Sequence, residues 1–151
     1  MEFSIGESLL TAMLVFAVER YWSYLQINRK IQGCALLLYM EVNDHLYRLE
    51  NIANLDFETH STNEIFPDSE WSQARYFLAT GISFNDFAAI MEHYRSMRAA
   101  RKLWNTTEGN IPYEFLNRYI ATAKAALTVL GKLAKITEEK VLEYNKLQHK
   151  Q

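Results

Sequence analysis

A chain of 151 residues with 49% hydrophobic and 23% charged side chains can bury about 70% of its unfolded surface in one core, and this composition excludes a disordered or polytopic membrane protein. Sixteen basic against eighteen acidic residues leave a formal charge of −2, so the protein as a whole does not attract nucleic acid. The single cysteine, Cys34, excludes an internal disulfide and a cysteine-based zinc site and reads as a small hydrophobe in a reducing compartment.

The first element is apolar from Phe3 to Val18 apart from Ser4, Gly6, Glu7, Ser8 and Thr11. Its uninterrupted part, Leu9 to Val18 but for Thr11, is ten residues long, against the roughly 20 that a bilayer span requires. The flanks point the other way. Tyr21, Trp22 and Tyr24 are residues that favour a membrane interface, and Arg20, Arg29 and Lys30 supply the basic residues expected at the cytoplasmic end of a span. Glu7 would cost about 2.5–3.5 kcal/mol at the bilayer centre and less near its edge. No cleaved signal peptide is expected, because the first residues carry Glu2 and no Lys or Arg. Two readings stand: a membrane anchor, or a helix buried against other copies of the chain. Both use Leu9, Leu10, Met13, Leu14, Phe16, Tyr21 and Trp22 as the contact surface, and both divide the chain into an anchor or oligomerisation segment, 1–25, and a helical domain, 26–151.

With 5 Gly and 2 Pro, breaks are few and long helices are favoured. Helix 1 is predicted from Ser4 to Asn54, with Ile31, Ala35, Leu38, Val42, Leu46, Leu49 and Ala53 as one buried stripe and Leu36, Leu37 and Met40 widening it toward more than one neighbour. Leu55 to Ser69 reads as an acidic, solvated loop in which Asp56, Glu58 and His60 could chelate a cation only weakly. Helix 2 is predicted over Ser69–Thr80, with Asp68 as N-cap, Trp71, Ala74, Phe77 and Leu78 inward, and Gly81 as a left-handed C-terminal cap. Ser83 and Asp86 resemble a capping box that opens helix 3, whose inward stripe is Phe87, Ile90, Tyr94, Met97 and Trp104. A loop is expected over Asn105–Asn110. Pro112 then suits the first turn of a fourth helix, with a helical period from Tyr113 to Val141 and fraying after Tyr144. The pattern predicts an all-α, four-helix-bundle-like fold with a long first helix, two shorter middle helices and a long C-terminal helix.

Chemistry-bearing patterns are sparse. His45, His60, His93 and His149 form no H-x-x-x-H or H-E-x-x-H arrangement, and Glu41 with His45 and Glu92 with His93 lack the Glu-x-x-His spacing of di-iron bundles. Those four residues are therefore read as surface or boundary polar groups. No metal, cofactor or catalytic residue is expected, and neither a phosphate-binding glycine loop nor a hydrolase elbow is present in the sequence. Arg95, Arg98 and Lys102 share one face of helix 3, with Arg101 beside them. This row is expected to be exposed and is a candidate anion-binding surface for phosphates of lipid or nucleic acid.

Leu38-Tyr39-Met40-Glu41-Val42-Asn43-Asp44-His45-Leu46 is similar to a Leu-x-x-Glu-apolar-x-x-Asn-Leu stretch, with His45 standing where that pattern has Asn. Together with Trp71 through Tyr94, this order of features resembles small bacterial proteins of uncharacterised function in which an N-terminal membrane helix runs directly into a cytoplasmic helical bundle. The resemblance implies a bundle held at a membrane and brings no activity with it. The expected function is a non-catalytic interaction module, inner-membrane-associated with a cytoplasmic bundle or wholly cytoplasmic. Its partners would be membrane lipid, a second copy, or another protein, with nucleic acid disfavoured. The alternatives are a soluble oligomeric adaptor or regulator, a pore-forming effector lined around Glu7, and a metal-dependent bundle enzyme using Glu41, His45, Glu92 and His93.

Overall fold

A computed structural model describes residues 5–53, 66–107 and 109–136, with side chains from residue 9 onward. Among the described residues the chain forms four helices and no strand: α1 (Ile5–Ala53), α2 (Ser69–Gly81), α3 (Phe84–Thr106) and α4 (Tyr113–Leu133). The all-α bundle with a long first helix is what the hydrophobic periods predict. Most of the expected acidic loop, with Asp56, Glu58 and His60, lies outside the described residues, as do Val141 and the C-terminal tail.

The topology follows from which residues meet. The start of α2 touches the middle of α1, where the Glu70 N–H donates to Glu41 Oε2 at 3.1 Å, and its end reaches Gly81, which lies against Ile31. α3 reverses direction again, so that Ile90 joins the core cluster of Ile31, Leu38 and Val42, while Met97 and Trp104 join Leu49 and Ile52. α4 returns from Leu116, near Leu49, to Leu130, near Ile31. The four helices run alternately up and down. α1 packs on α2 and α4, and α3 packs on α4 and more lightly on α2. These contacts close a ring with α1 and α3 on its diagonal.

Several local expectations are revised. Gly81 is the last helical residue and not a left-handed cap, and positive φ is confined to Gly109 and Lys135 among the described residues. What its missing side chain permits is close approach, since a Cβ there would lie 3.0 Å from Ile31 Cδ1. The predicted loop from Asn105 starts later, because α3 continues through Thr106. α4 stops at Leu133, short of the predicted Val141, and Lys135 at φ 53° turns the chain so that the Ile136 N–H reaches the Gly131 carbonyl at 3.0 Å, the bond pattern of a Schellman cap. Leu36, Leu37 and Met40 remain exposed, although α1 does touch two neighbours. Ser83 behaves as predicted: its hydroxyl accepts from the Asp86 N–H at 3.2 Å and donates to the Asp86 carboxylate at 2.7 Å.

Candidate functional site

Three places concentrate the residues of interest. The first is the projecting part of α1. From Leu9 to Tyr24 every described side chain is exposed, including Leu10 at 62%, Phe16 at 60% and Trp22 at 59%. Burial begins only with Leu25 and Asn28, half-buried, and Ile31, buried. Leu9, Leu10, Met13, Leu14, Phe16, Tyr21 and Trp22 thus stand on a helix that none of the other described helices covers. Among the described residues no helix is long and apolar enough to cross a membrane.

The second place is the basic row on α3. Arg95, Arg98 and Lys102 are exposed, while the inward stripe at Ile90, Tyr94, Met97 and Trp104 is buried. Two of the three have acidic neighbours: Arg95 lies 3.9 Å from Glu92, and Arg98 lies 3.6 Å from Asp68. Exposed pairs of this kind contribute little to stability. Asp68 occupies the N-cap position of α2, but its side chain makes no capping bond. Its carboxylate turns instead toward Arg98 and Arg101, the latter at 3.7 Å. The Arg101 guanidinium also donates to the Phe66 carbonyl. Arg101, read from sequence as part of the basic surface, is half-buried and ties the segment 66–68 to α3.

The third place corrects the sequence reading of the histidines. His45 and His93 are each 0% exposed and lie between the two apolar clusters of the core. Their rings approach at His45 Nδ1 to His93 Nε2, 3.0 Å apart, and His45 Nε2 reaches the Pro67 carbonyl at 2.6 Å. A carbonyl only accepts, so His45 Nε2 carries a hydrogen. In the neutral ring Nδ1 is then bare and accepts from His93 Nε2–H, leaving His93 Nδ1 as a lone pair. That atom is buried without a partner. Burial keeps both rings neutral, lowering His45 to about 4, against the opposing pull of the Pro67 carbonyl, and His93 to about 3, with His45 adding to the effect.

One turn away, the Tyr94 hydroxyl donates to Glu41 Oε1 at 2.7 Å while Glu41 Oε2 accepts from the α2 N-terminus. Glu41 thus supplies from a neighbouring helix the cap that Asp68 does not. Burial raises the Glu41 carboxyl above its ordinary range, with the Tyr94 hydroxyl the largest opposing influence. Burial, followed by the Glu41 charge, raises Tyr94 as well. Trp71 stacks on Tyr94 with centroids 4.8 Å apart and planes 5° from parallel.

This layer spans the diagonal between α1 and α3, and its chemistry is that of a structural network. Both imidazoles are enclosed, and the one ring nitrogen that meets a main-chain carbonyl is committed to it. Glu92, the fourth residue of the metal-enzyme alternative, lies elsewhere, 3.8 Å from Arg118. Among the described residues no three His, Cys, Asp or Glu side chains converge as a metal site. A signal for the histidines was present in the sequence: His45 lies three residues after Val42 and four before Leu49, and His93 lies three after Ile90 and four before Met97, so both fall on inward stripes. Comparisons with protein-family models, with curated proteins and with solved structures find no match to this chain.

Proposed function

We propose that this protein is a non-catalytic helical interaction module held at a lipid bilayer by the projecting part of α1, with the bundle on the side of Arg20, Arg29 and Lys30. The observation that carries this reading is the apolar surface that runs all the way round an uncovered helix. Leu10, Met13 and Leu14 lie on one side, Leu9 and Phe16 on another, and Val15 and Val18 fill the rest, all exposed. A partner helix covers one face of such a cylinder, whereas lipid covers every face. Burying each Leu or Phe contributes about 1.5–3 kcal/mol, so Leu9, Leu10, Leu14 and Phe16 together outweigh the roughly 2.5–3.5 kcal/mol cost of placing Glu7 in hydrocarbon. Leu9 to Val18 extends about 15 Å at 1.5 Å per residue, half the thickness of a bilayer core. The reading therefore requires insertion and not a complete crossing by these residues.

A second reading, self-association through the same segment, is favoured by the shortness of the apolar run. The experiment that separates them is flotation of full-length protein with phosphatidylcholine vesicles, paired with light scattering in detergent-free buffer. The wild type is expected to float and the Leu10→Lys/Leu14→Lys variant to stay at the bottom with its helical content unchanged. A wild-type chain that stays down as a discrete oligomer establishes the second reading instead, and one that stays down as a monomer refutes both.

A further inference from the structure

The place where α1 leaves the bundle contains a cavity of about 330 Å³. Its wall includes Tyr24, Asn28 and Gln32 of α1, Asp86 of α3, and Lys132 and Lys135 at the end of α4. We propose that this cavity binds the anionic headgroup of a phospholipid, in the bilayer that receives the projecting helix. The inference rests on the bilayer reading above.

Two independent features meet here. Tyr24 belongs to the aromatic collar that sets the expected depth of the headgroups, and the same residue lines the cavity. The distance along α1 from Tyr24 to Ile31, where full burial begins, is only about 10 Å at 1.5 Å per residue. A helix inserted to its collar therefore brings the foot of the bundle, with the cavity, to the phosphate layer.

The charge is complementary to an anion. Lys132 and Lys135 line the wall and are exposed, while Arg29 and Lys30, also exposed, lie on other faces of α1 outside the wall. None of the four pairs with a carboxylate among the described residues. The wall carries two lysines against one carboxylate, Asp86, which accepts from the Ser83 hydroxyl at 2.7 Å. Lys135 is placed by the left-handed turn that ends α4, so the stop of that helix and the position of a cation in the wall have one cause. Asn28 and Gln32 add amide donors suited to phosphate oxygens. The bland alternative for Lys132, compensation of the α4 dipole, leaves Lys135 without a role.

The test uses the full chain with two vesicle types, phosphatidylcholine alone and phosphatidylcholine containing phosphatidylglycerol. Wild-type protein is expected to bind the anionic vesicles more tightly, with the difference shrinking as salt rises. Lys132→Gln/Lys135→Gln should reduce that difference about thirtyfold, given about 1 kcal/mol for each of the two basic residues at an anionic surface, and leave binding to neutral vesicles unchanged. Asn28→Trp, which fills the cavity without changing charge, should remove most of the same difference. Lys124→Gln, farther up the bundle, should not. Equal binding of the wild type to both vesicles overturns the headgroup site while leaving the bilayer reading intact. So does a Lys124→Gln loss as large as that of the lysine pair together with an unaffected Asn28→Trp variant, since that pattern describes diffuse attraction. Absence of binding to either vesicle, with a folded protein, overturns the bilayer reading and this inference with it.

Discussion

The two parts of α1 are one helix with two different apolar patterns. From Ile31 to Leu49 apolar residues return every three or four positions, and those on one stripe, Ile31, Ala35, Leu38, Val42 and Leu49, are buried against α2 and α4. From Leu9 to Val18 nearly every position is apolar and none is buried. The difference teaches that hydrophobicity by itself does not specify burial inside a protein. A stripe has a direction and can be answered by a neighbouring helix, whereas a uniformly apolar cylinder offers no single face for one neighbour to cover.

If the two parts are separable, substitutions in the packed part should change unfolding and leave vesicle binding alone. The largest expected effect is at the polar layer. His93→Ala removes the donor to His45 Nδ1 and opens a cavity, and a loss of about 3 kcal/mol or more is expected in denaturant unfolding. Replacing both rings, His45→Leu with His93→Leu, should cost less than the two single changes added together, because each single change strands the other ring. Strict additivity would show that the 3.0 Å contact contributes nothing.

Acid should act on the same layer. Both folded-state values lie below the ordinary histidine range, at about 4 and about 3. The unfolded chain therefore takes up protons below about pH 6.5 that the folded chain refuses. Stability is complete above that pH and is lost as pH falls toward 4, by about 1.4 kcal/mol per unit for each fully refusing imidazole. Glu41, raised by burial, works in the opposite direction and softens the loss at the acid end. Asp44 also favours the charged form of His45, while Arg48 and Arg101 oppose it. Thermal melts between pH 7 and 4 should show this slope in the wild type and a flatter one in the double-leucine variant. Equal slopes would remove the histidines as the cause.

A smaller effect is expected at Gly81. Gly81→Val drives a branched side chain into Ile31, where even a Cβ would lie at 3.0 Å, and a loss of about 1–2 kcal/mol is expected. Gly81→Ala should be near neutral, because the gain in helix propensity, about 1 kcal/mol, offsets a contact that the end of Ile31 can relieve. A strongly destabilised alanine variant would mean that Ile31 cannot yield, and the lower rim of the bundle is stiffer than its exposure implies.

The periods of three and four are legible because they depend only on helix geometry, and they place most inward residues of α1, α2 and α3; in α4 they place Leu116, Ala123 and Leu130 but include the exposed Tyr113 and miss the buried Tyr119 and Ala126. Leu36, Leu37 and Met40 were misjudged because a helix's sequence does not show how many neighbours it has. The sequence assigns Asp68 its commonest use, an N-cap, and the structure gives that task to Glu41, 29 residues along the chain from the Glu70 N–H it accepts from. Nothing local could reveal a cap supplied by another helix. The histidines are legible by position but not by type, since a polar residue on an inward stripe is satisfied only by partners from distant sequence. For Arg95, Arg98 and Lys102 the sequence reading of an exposed row agrees with their positions, while the pairing of Arg98 with Asp68 depends on how segment 66–68 crosses α3.

The imidazole layer also acts as a ruler. If α3 slid along α1 by one turn, about 5.4 Å, most apolar residues would still meet apolar residues, and a core of Leu, Ile and Ala would scarcely resist. The ring of His45 would then face an aliphatic neighbour, and the Arg101 tether to Phe66 would part. Because α1 is continuous, the height at which α3 locks onto it also sets how far α3 stands from the exposed Tyr21, Trp22 and Tyr24. A contact in the middle of the core thereby fixes a distance measured outside it.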